Sequence, residues 1–248
     1  MRELERQPDP SPLRVAIIGR GRLGTALARA LRERGLDVPR PLAREADVTQ
    51  FGLVVLCVPD CEIAAAAAEL APGTIVGHCS GATGLDVLAP HERFSLHPLM
   101  TFTADDGAER FVGAGAAIAG NTPRSLEIAR ALAERLEMLP FDIAEADRVA
   151  YHAAASIASN FLVTLEAAAE RLAEDAGADR RVLVPLVRAT VENWARLGPE
   201  RALTGPVARG DEQTVAAQRA AVAERAPELL AIFDALVQAT SSLATVTA

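Results

Sequence analysis

The stretch Val15-Ala-Ile-Ile-Gly-Arg-Gly-Arg-Leu-Gly24 decides the fold. Apolar residues that predict a buried strand run into the pattern Gly19-x-Gly21-x-x-Gly24, and an amphipathic helical pattern follows. The first glycine permits a tight turn, the second lets a pyrophosphate approach the backbone, and the third lets the helix pack close to the strand. A helix N-terminus attracts anions, so we expect a dinucleotide here rather than a purely structural turn. The expected contact residues are Gly19, Arg20, Gly21, Arg22, Leu23 and Gly24.

Short apolar runs alternate with stretches of helical period from Leu13 to about Ile143. This alternation is typical of βαβ units and predicts an α/β fold with a doubly wound, mostly parallel sheet of the Rossmann type. Predicted strands cover 14–19, 36–40, 53–58, 74–79, about 93–96, 114–119 and 138–143, and predicted helices cover 23–34, 62–70 and 123–136. Pro39 and Pro41 weaken the second strand, which we expect in an irregular or edge position.

The second half of the chain is predicted to be all-helical. Residues 147–174 form one long helical pattern whose centre is apolar nearly all round, which requires burial within the chain or against a second copy. Further helices are predicted over 179–197, 211–223 and 226–244. We therefore expect a flexible segment over 1–12, a dinucleotide-binding domain over 13–146, and a helical domain over 147–248 that contacts substrate and forms a homodimer.

Composition excludes several classes of function. The 248 residues include 33 acidic and 25 basic side chains, and every basic one is arginine, so lysine chemistry such as a Schiff base is excluded. An acidic chain with 4% aromatic residues does not suit nucleic acid. No apolar run approaches the ~20 residues of a membrane span. Three cysteines without a disulfide framework, and no recognisable signal peptide, favour a cytoplasmic location.

The segment about 20 residues past the glycines bears on the choice of coenzyme. NAD binding calls for a carboxylate that holds the ribose hydroxyls, whereas this segment carries Arg40 and Arg44. Guanidinium groups attract a 2′-phosphate, so NADP is predicted. Asp37 and Glu45 lie close enough to keep NAD as the less favoured alternative, and the two arginines could also form a merely solvated face.

Polar segments follow three predicted strands, where a parallel sheet binds its ligands. Val58 and Pro59 are expected to line the nicotinamide ribose, Ser80 to orient substrate, and His97 to donate or share a proton. His78 is more simply explained as a hydrogen-bond partner of the backbone at a strand end. The cysteines match no zinc-ligand spacing, so no metal site is predicted.

The long helical pattern and the loop at 203–211 carry further candidates. His152 and Asn160 are polar breaks in the apolar helix, on a face that also carries Ser156, and Ser159 lies next to them. Arg209 lies in a Gly/Pro-rich loop, where it could grip a carboxylate, and Asp211 suits a helix N-cap. Structural hydrogen bonds and a plain surface loop are the alternatives.

Together these segments resemble Rossmann-fold oxidoreductases whose C-terminal half is a helical domain of unknown function. These belong to the clan of ketopantoate reductase, pyrroline-5-carboxylate reductase and β-hydroxyacid dehydrogenases. Matching segments span nearly the whole chain: Gly19–Gly24, Val58–Asp60, His78–Ala82, His97–Phe102, Tyr151–Ala155, Ser159–Asn160 and Leu203–Asp211. The resemblance implies an NADP-binding domain and a helical dimerisation domain.

The resemblance also implies a reductase acting on the C=O or C=N bond of a small carboxylate such as a ketopantoate-like 2-keto acid. β-Hydroxyacid dehydrogenases and ketopantoate reductases use a lysine four residues before an asparagine; if Asn160 is that asparagine, Ser156 replaces the lysine. The proton would then come from His97, His152 or water. Expected substrate contacts are Ser159, Thr204 and Arg209. The alternatives are a cyclic-imine reductase and a non-catalytic NADP-binding sensor or scaffold.

Overall fold

A computed structural model describes residues 14–103 and 105–245. The segment 1–12, predicted to be flexible, lies outside the described residues. The chain divides into two compact units, Met1–Ile157 and Ala158–Ala248. The predicted domain limits at 13, 146 and 147 stay predictions, and each unit is described by itself below.

The first unit is built on one six-stranded sheet in which each strand pairs with its neighbours in sequence. Four of the five strand pairs are parallel, and β4 pairs with β5 in the antiparallel direction. The carboxyl ends of the first four strands therefore share an edge. The strands are β1 (Val15–Ile18), β2 (Leu53–Leu56), β3 (Ile75–His78), β4 (Glu92–Leu99), β5 (Gly115–Gly120) and β6 (Leu139–Asp142).

Apolar clusters cover both faces of this sheet, as the wholly apolar and buried strands β1 and β2 require. Val15 and Ile17 of β1 belong to one apolar cluster, and Ala16 and Ile18 to a second cluster on the opposite face. The first cluster includes residues of α1 (Arg22–Glu33) and α3 (Pro123–Arg135), and the second those of α2 (Ile63–Ala68). The predicted α/β class with a doubly wound, mostly parallel sheet is confirmed.

The prediction of a strand over 36–40 is wrong. That segment lies beside β1, where Val15 N–H donates to the Asp37 carbonyl and Leu42 N–H to the Ile17 carbonyl, but it forms only an isolated bridge at Leu42. Pro39 and Pro41 have no N–H to donate, so the ladder is interrupted between these two bonds. The segment therefore occupies an edge position without regular strand geometry.

The second half of the chain is helical, as predicted, and it also contains a short helix at Pro199–Ala202 that was not predicted. The pattern over 147–174 gives two helices separated by a π-helical turn, Ile157–Phe161. In the second unit α5 packs against α6 and α8, and α8 packs against α9. The helices are α4 (Arg148–Ser156), α5 (Leu162–Asp175), α6 (Arg180–Leu197), α7 (Pro199–Ala202), α8 (Glu212–Arg225) and α9 (Leu230–Thr245).

Apolar side chains are exposed on these helices. Phe161 at the π turn is 57% exposed, and Leu186 and Trp194 of α6 are 65% and 58% exposed. The burial expected for the long apolar helix is thus not provided by the described residues around Phe161. Among the helices in the described ranges, none combines the length and the apolar character needed to cross a bilayer.

Candidate functional site

The glycine turn after β1 has the shape that its sequence predicts. Gly19 has φ +120°, and a Cβ there would lie 2.2 Å from the Cys57 carbonyl oxygen. A Cβ on Gly24 would lie 2.1 Å from the Gly19 carbonyl oxygen. Gly21 is different, because a Cβ there would meet nothing within 4 Å. Gly19 and Gly24 are therefore required by the turn itself, whereas the protein leaves open space at Gly21.

Helix α1 begins at this turn with its N-terminus available to an anion. Gly21 is its N-cap residue, no side chain caps it, and its first turn contains no acidic residue. The exposed Arg20 and Arg22 flank Gly21, while the half-buried Leu23 packs against the first apolar cluster. Unpartnered backbone N–H groups, the helix dipole and adjacent arginines together suit a diphosphate.

The charged residues of the segment beside β1, residues 37–44, lie at two different positions along the strand direction. Asp37 lies level with Val15 and pairs with Arg14 at 2.7 Å. It is roughly 13 Å along the strand direction from the glycine turn. Because Gly19 N–H donates to the Leu42 carbonyl, the segment reaches the carboxyl edge near Ala43 and Arg44. Asp37 therefore lies too far from the glycine turn to hold the ribose hydroxyls.

The two arginines predicted to bind a 2′-phosphate are both exposed. Arg44 is ion-paired with Glu62, which follows β2. Arg40 has no side-chain hydrogen bond or ion pair among the residues that the structure describes. After β2, Val58 is half-buried against the second apolar cluster and Pro59 is exposed, so both lie at the carboxyl edge.

The loop after β3 is held by two neutral side chains. The Ser80 hydroxyl donates to Asp60 at 2.7 Å and accepts the backbone N–H of Ala82 and Thr83. His78 Nδ1 accepts from the Ser80 N–H, so its Nε2 carries the proton and donates to the Gly84 carbonyl at 3.2 Å. Ser80 therefore has no hydroxyl proton left for a ligand, and His78 is structural, in agreement with the simpler interpretation of its sequence position.

Two histidines converge at Gly81, the residue that follows Ser80. His97 on β4 and His152 on α4 have ring centroids 6.2 Å apart. A Cβ on Gly81 would lie 2.9 Å from His97 Cε1 and 2.9 Å from His152 Cδ2, so no other residue fits there without displacing both rings. His97 Nδ1 lies 2.7 Å from the Tyr151 hydroxyl oxygen. The structure thus brings together His97, His152 and Tyr151 at the carboxyl edge.

A buried arginine supports this cluster. Arg148, at the start of α4, is 1% exposed. It donates through Nε to Glu145 at 3.0 Å and through Nη2 to the Ser95 hydroxyl at 2.6 Å, while its Nη1 has no partner among the described residues. Ser95 lies opposite His78 in the sheet and two residues before His97, so the guanidinium places positive charge beneath the histidines.

Burial sets the protonation states of the cluster. It lowers the pKa of His97 to about 4, and the neighbouring His152 and Arg148 act in the same direction, whereas Asp60 opposes them. It lowers the pKa of His78 to about 4 as well. Burial also raises the pKa of Tyr151 to about 12. At neutral pH His97 and His78 are therefore uncharged, and the Tyr151 phenol keeps its proton.

Four predicted site residues belong to the second unit. Ser159 and Asn160 lie in the π-helical turn, where Asn160 is exposed and its carbonyl accepts from the Thr164 hydroxyl at 3.2 Å. Thr204 and Arg209 are exposed in the loop before α8. The proposed roles of these four residues stay predictions. Asp211 caps α8 by accepting the Thr214 N–H at 3.0 Å, as its sequence position predicts.

Two thiols lie behind the glycine turn. Cys57 and Cys79 follow the adjacent strands β2 and β3, and their Sγ atoms are 3.7 Å apart. The hydrogen bond with Cys79, together with burial, raises the pKa of Cys57. Within the described ranges, no group of three or more His, Cys, Asp or Glu side chains is arranged to hold a metal ion. The cysteines act here as small packing residues.

Two members of the cluster, Arg148 and Tyr151, were not predicted as site residues from the sequence. A signal was present in the helical spacing, since Arg148, Tyr151 and His152 stand at positions i, i+3 and i+4 and therefore share one face of α4. The partners on β4 could not be read from that spacing, because they are more than 50 residues away in sequence.

Solved structures share this architecture. Protein TM1727 from Thermotoga maritima is 25% identical, with a TM-score of 0.81 over 93% of this chain and 99% of its own. BF3122 from Bacteroides fragilis, named for NADP oxidoreductase activity, is 20% identical, with a TM-score of 0.80 over 93% and 98%. A reductive aminase from Aspergillus terreus, in complex with NADPH and ethyl-5-oxohexanoate, is 14% identical, with a TM-score of 0.62 over 94% and 98%. These likenesses establish a shared fold.

Comparison with protein families assigns both halves of the chain, although no curated protein matches it. Residues 34–102 match a Rossmann-like domain. Residues 115–240 match the family described as Domain of unknown function (DUF2520). The resemblance to Rossmann-fold proteins with a helical C-terminal domain of unknown function is therefore confirmed, and the chain belongs to the DUF2520 family.

Proposed function

We propose that this protein is an NADP-dependent oxidoreductase that transfers hydride between nicotinamide and a C=O or C=N bond of a small carboxylate. The observation that carries the proposal is the glycine turn at the uncapped N-terminus of α1, on the sheet edge where His97 also lies. Similarity in fold to a protein named as an NADP oxidoreductase and to an NADPH-bound reductive aminase supports it.

The residues at the carboxyl edge fit a dinucleotide. The backbone around Gly21 would hold the diphosphate, and the space there admits close approach. Arg44 and Arg40 would hold the 2′-phosphate, because the segment reaches this edge beyond Asp37. Val58 and Pro59 would line the nicotinamide ribose. When bound, the coenzyme supplies the hydride.

The chain's own contribution is to orient and polarise the substrate. His97 is neutral at pH 7, so it acts as a hydrogen-bond partner of the reacting atom rather than as a charged acid. His152, on the other side of Gly81, is the second candidate, and a bound water the third. Ser80 serves by holding Asp60 and the loop after β3, because its own proton is engaged.

A homodimer through the helical unit is part of the proposal. Val182, Leu186 and Trp194 are spaced at multiples of four residues along α6, and each is more than half exposed. An exposed apolar stripe of this kind is typical of a surface that a partner covers. A second copy of the chain presents the same stripe, and a twofold interface is self-complementary.

The test compares two glycine substitutions that the free protein accommodates equally. A Cβ meets nothing within 4 Å at either Gly21 or Gly52, but only Gly21 lies in the turn. By calorimetry we expect Gly21→Ala to weaken NADPH binding about tenfold or more, which corresponds to roughly 1.4 kcal/mol, and Gly52→Ala to leave it unchanged. Absence of NADPH binding in the wild type would refute the proposal.

Turnover is tested separately, by following NADPH oxidation with a panel of 2-oxo acids and cyclic imines. We expect at least one class to be reduced, with activity lost in Gly21→Ala and kept in Gly52→Ala. Tight NADPH binding without turnover on any such compound would instead identify a non-catalytic coenzyme-binding module.

A further inference from the structure

Two side chains on one face of α4 and the side chains of Ser95 and His97 on β4 form a charged and hydrogen-bonded cluster, of which only His97 was predicted as a site residue. Arg148 and Tyr151 on α4 bond to Ser95 and His97 on β4, respectively. Resting on the proposed function, we infer that Tyr151 holds His97 as a neutral hydrogen-bond donor to a carbonyl oxygen, so that the site takes a ketone in preference to a protonated imine.

The direction of the hydrogen bond between Tyr151 and His97 fixes the tautomer. A partly buried phenol donates its O–H where an acceptor is present, and His97 Nδ1, at 2.7 Å, is its acceptor among the described residues. With Nδ1 accepting, the single proton of the neutral ring stands on Nε2. The low pKa of His97 and the high pKa of Tyr151 agree with this arrangement.

The N–H group at Nε2 of His97 is available to a ligand. Nε2 of His97 has no hydrogen-bond partner in the part of the chain that the structure describes. Beside it stands Gly81, where a Cβ would lie 3.0 Å from Nε2. Glycine at this position keeps a side chain away from the ring edge. The N–H of Nε2 can therefore meet a ligand atom that accepts a hydrogen bond.

The available N–H of His97 favours a ligand atom that accepts a hydrogen bond and gains negative charge. Arg148 contributes a buried cation with one unpartnered N–H group, and His78 is neutral. Two carboxylates lie near this cluster: Asp60 accepts a hydrogen bond from the neutral Ser80 hydroxyl, and Glu145 is ion-paired with Arg148 at 3.0 Å. His152 is the remaining titratable neighbour. A protonated imine nitrogen has no lone pair, so it cannot accept the hydrogen bond of Nε2 and would set its own N–H against that donor.

Hydride transfer changes charge in opposite directions for the two substrates. When hydride adds to a carbonyl carbon, the π pair of the C=O bond becomes a lone pair on oxygen, and donors aimed at that oxygen stabilise it. When hydride adds to a protonated imine, a positive charge disappears and a neutral amine forms. The cluster around His97 therefore lowers the barrier for the ketone.

The same arrangement supplies the proton that the alkoxide needs. The alkoxide oxygen takes the proton from His97 Nε2 while Nδ1 takes the proton of the Tyr151 hydroxyl, leaving the neutral Nδ1–H tautomer and a tyrosinate. Water then returns a proton to Tyr151, and exchange restores the starting tautomer. Electrons come from the nicotinamide coenzyme of the proposed function, and Tyr151 is a positioning residue because it acts through His97.

The tautomer is tested by NMR on protein labelled with 15N at histidine. The four histidines are few enough to resolve, and the His97 signals are assigned by their loss in His97→Gln. In the wild type at pH 7 we expect a proton on Nε2 and none on Nδ1. In Tyr151→Phe we expect the Nδ1–H form to become populated. A doubly protonated His97 ring at pH 7, or an Nδ1–H tautomer in the wild type, would overturn the inference.

Substrate choice is tested with a 2-oxo acid and a cyclic imine of matched size. We expect kcat/KM for the ketone to exceed that for the imine about tenfold or more, and Tyr151→Phe to lower kcat for the ketone about 100-fold, the usual size of a proton-transfer contribution. Phe141→Leu is the control, because Phe141 packs edge-on against the Tyr151 ring at 5.7 Å without touching its hydroxyl. It should keep both the tautomer and the preference.

Failure of this inference and failure of the proposed function give different results. Preference for the imine, or an unchanged kcat in Tyr151→Phe, overturns the role of Tyr151 while NADPH binding stands. Loss of NADPH binding by the wild type overturns the oxidoreductase proposal. If the panel contains no substrate, the NMR result still decides the tautomer on which the inference depends.

Discussion

Nη2 of Arg148 lies 2.6 Å from the hydroxyl oxygen of Ser95, and both residues are buried. This bond ties the first turn of α4 to the centre of β4. A buried guanidinium is costly unless its N–H groups are bonded, and Ser95 is one of its two partners. The cluster at the carboxyl edge is therefore held in place by a charge-assisted hydrogen bond rather than by apolar packing alone.

Ser95→Ala should destabilise the first unit by about 2 kcal/mol, because it leaves a charged donor buried without its acceptor. Native-state hydrogen exchange of the β3 and β4 amides measures this locally, without interference from the second unit. Glu127→Ala, on the exposed face of α3, is the control and should change stability by less than about 0.5 kcal/mol. Equal protection in the two variants would show that the Ser95 hydroxyl contributes nothing.

His78 and His97, whose pKa values are lowered, make the first unit sensitive to acid. The pKa of His78 is lowered to about 4 in the folded chain, against about 6.5 when exposed. Between these values the unfolded chain binds more protons, so the free energy of unfolding decreases as the pH falls from about 6.5 toward 4. His78 contributes up to about 3 kcal/mol to this loss, and His97 acts in the same direction.

Hydrogen exchange of the β3 amides at pH 7 and pH 5 measures the effect. Protection should fall between these two conditions in the wild type, after correction for the intrinsic exchange rate. His78→Gln removes one of the titrating groups, so its protection should depend less on pH. An equally steep dependence in His78→Gln would assign the acid sensitivity to other groups.

Arg44→Asp should weaken NADPH binding much more than NADH binding. The substitution replaces a guanidinium with a carboxylate at the sheet edge, and a carboxylate repels a 2′-phosphate. Its exposed ion pair with Glu62 contributes little to stability, so the fold should be unaffected. Calorimetry with both coenzymes measures the ratio of the two affinities.

Asp37→Asn is the matched control for the coenzyme experiment. Asp37 lies level with Val15 at the opposite end of the strand, so its removal should leave both affinities unchanged. A selective loss of NADH binding in Asp37→Asn, or equal losses of both coenzymes in Arg44→Asp, would contradict the assignment of this edge to a 2′-phosphate.

Leu186→Glu should convert a dimer to a monomer. Leu186 is 65% exposed in the middle of the apolar stripe of α6, and a buried unpaired carboxylate at an interface is strongly unfavourable. Sedimentation velocity over a range of concentrations measures the association. Glu192→Lys changes the charge of α6 on a different side of the helix and should leave the dimer intact. A monomeric wild type would refute the proposed interface.

The elements of the first unit could be predicted largely because their signals are local. The run from Val15 to Ile18 is apolar at every position, as a strand covered on both faces requires, and a glycine turn and a helical period follow it directly. The prediction of a strand over 36–40 was wrong for an equally local reason, because Pro39 and Pro41 have no backbone N–H to donate. The π turn at Ile157–Phe161 has no comparable signal in residue order.

The site was predicted less completely because its chemistry depends on partners. Ser80 follows a strand and resembles a substrate-orienting residue in sequence, but its hydroxyl donates its hydrogen bond to Asp60, 20 residues earlier. His97 was identified as a polar residue at a strand end. Its protonation state depends on burial, Arg148 and His152, none of which is visible from its own neighbours in sequence.

The sequence by itself determined the strand, glycine turn and helix that suit a dinucleotide, because these follow from the conformations that adjacent residues allow. It also determined that lysine takes no part. Only the tertiary structure decided which side chains meet: Tyr151 reaches His97 across 54 positions, and Arg148 reaches Ser95 across 53. Such pairs depend on the register of β3 with β4 and on how α4 packs against them, and these are properties of the folded chain rather than of any short segment.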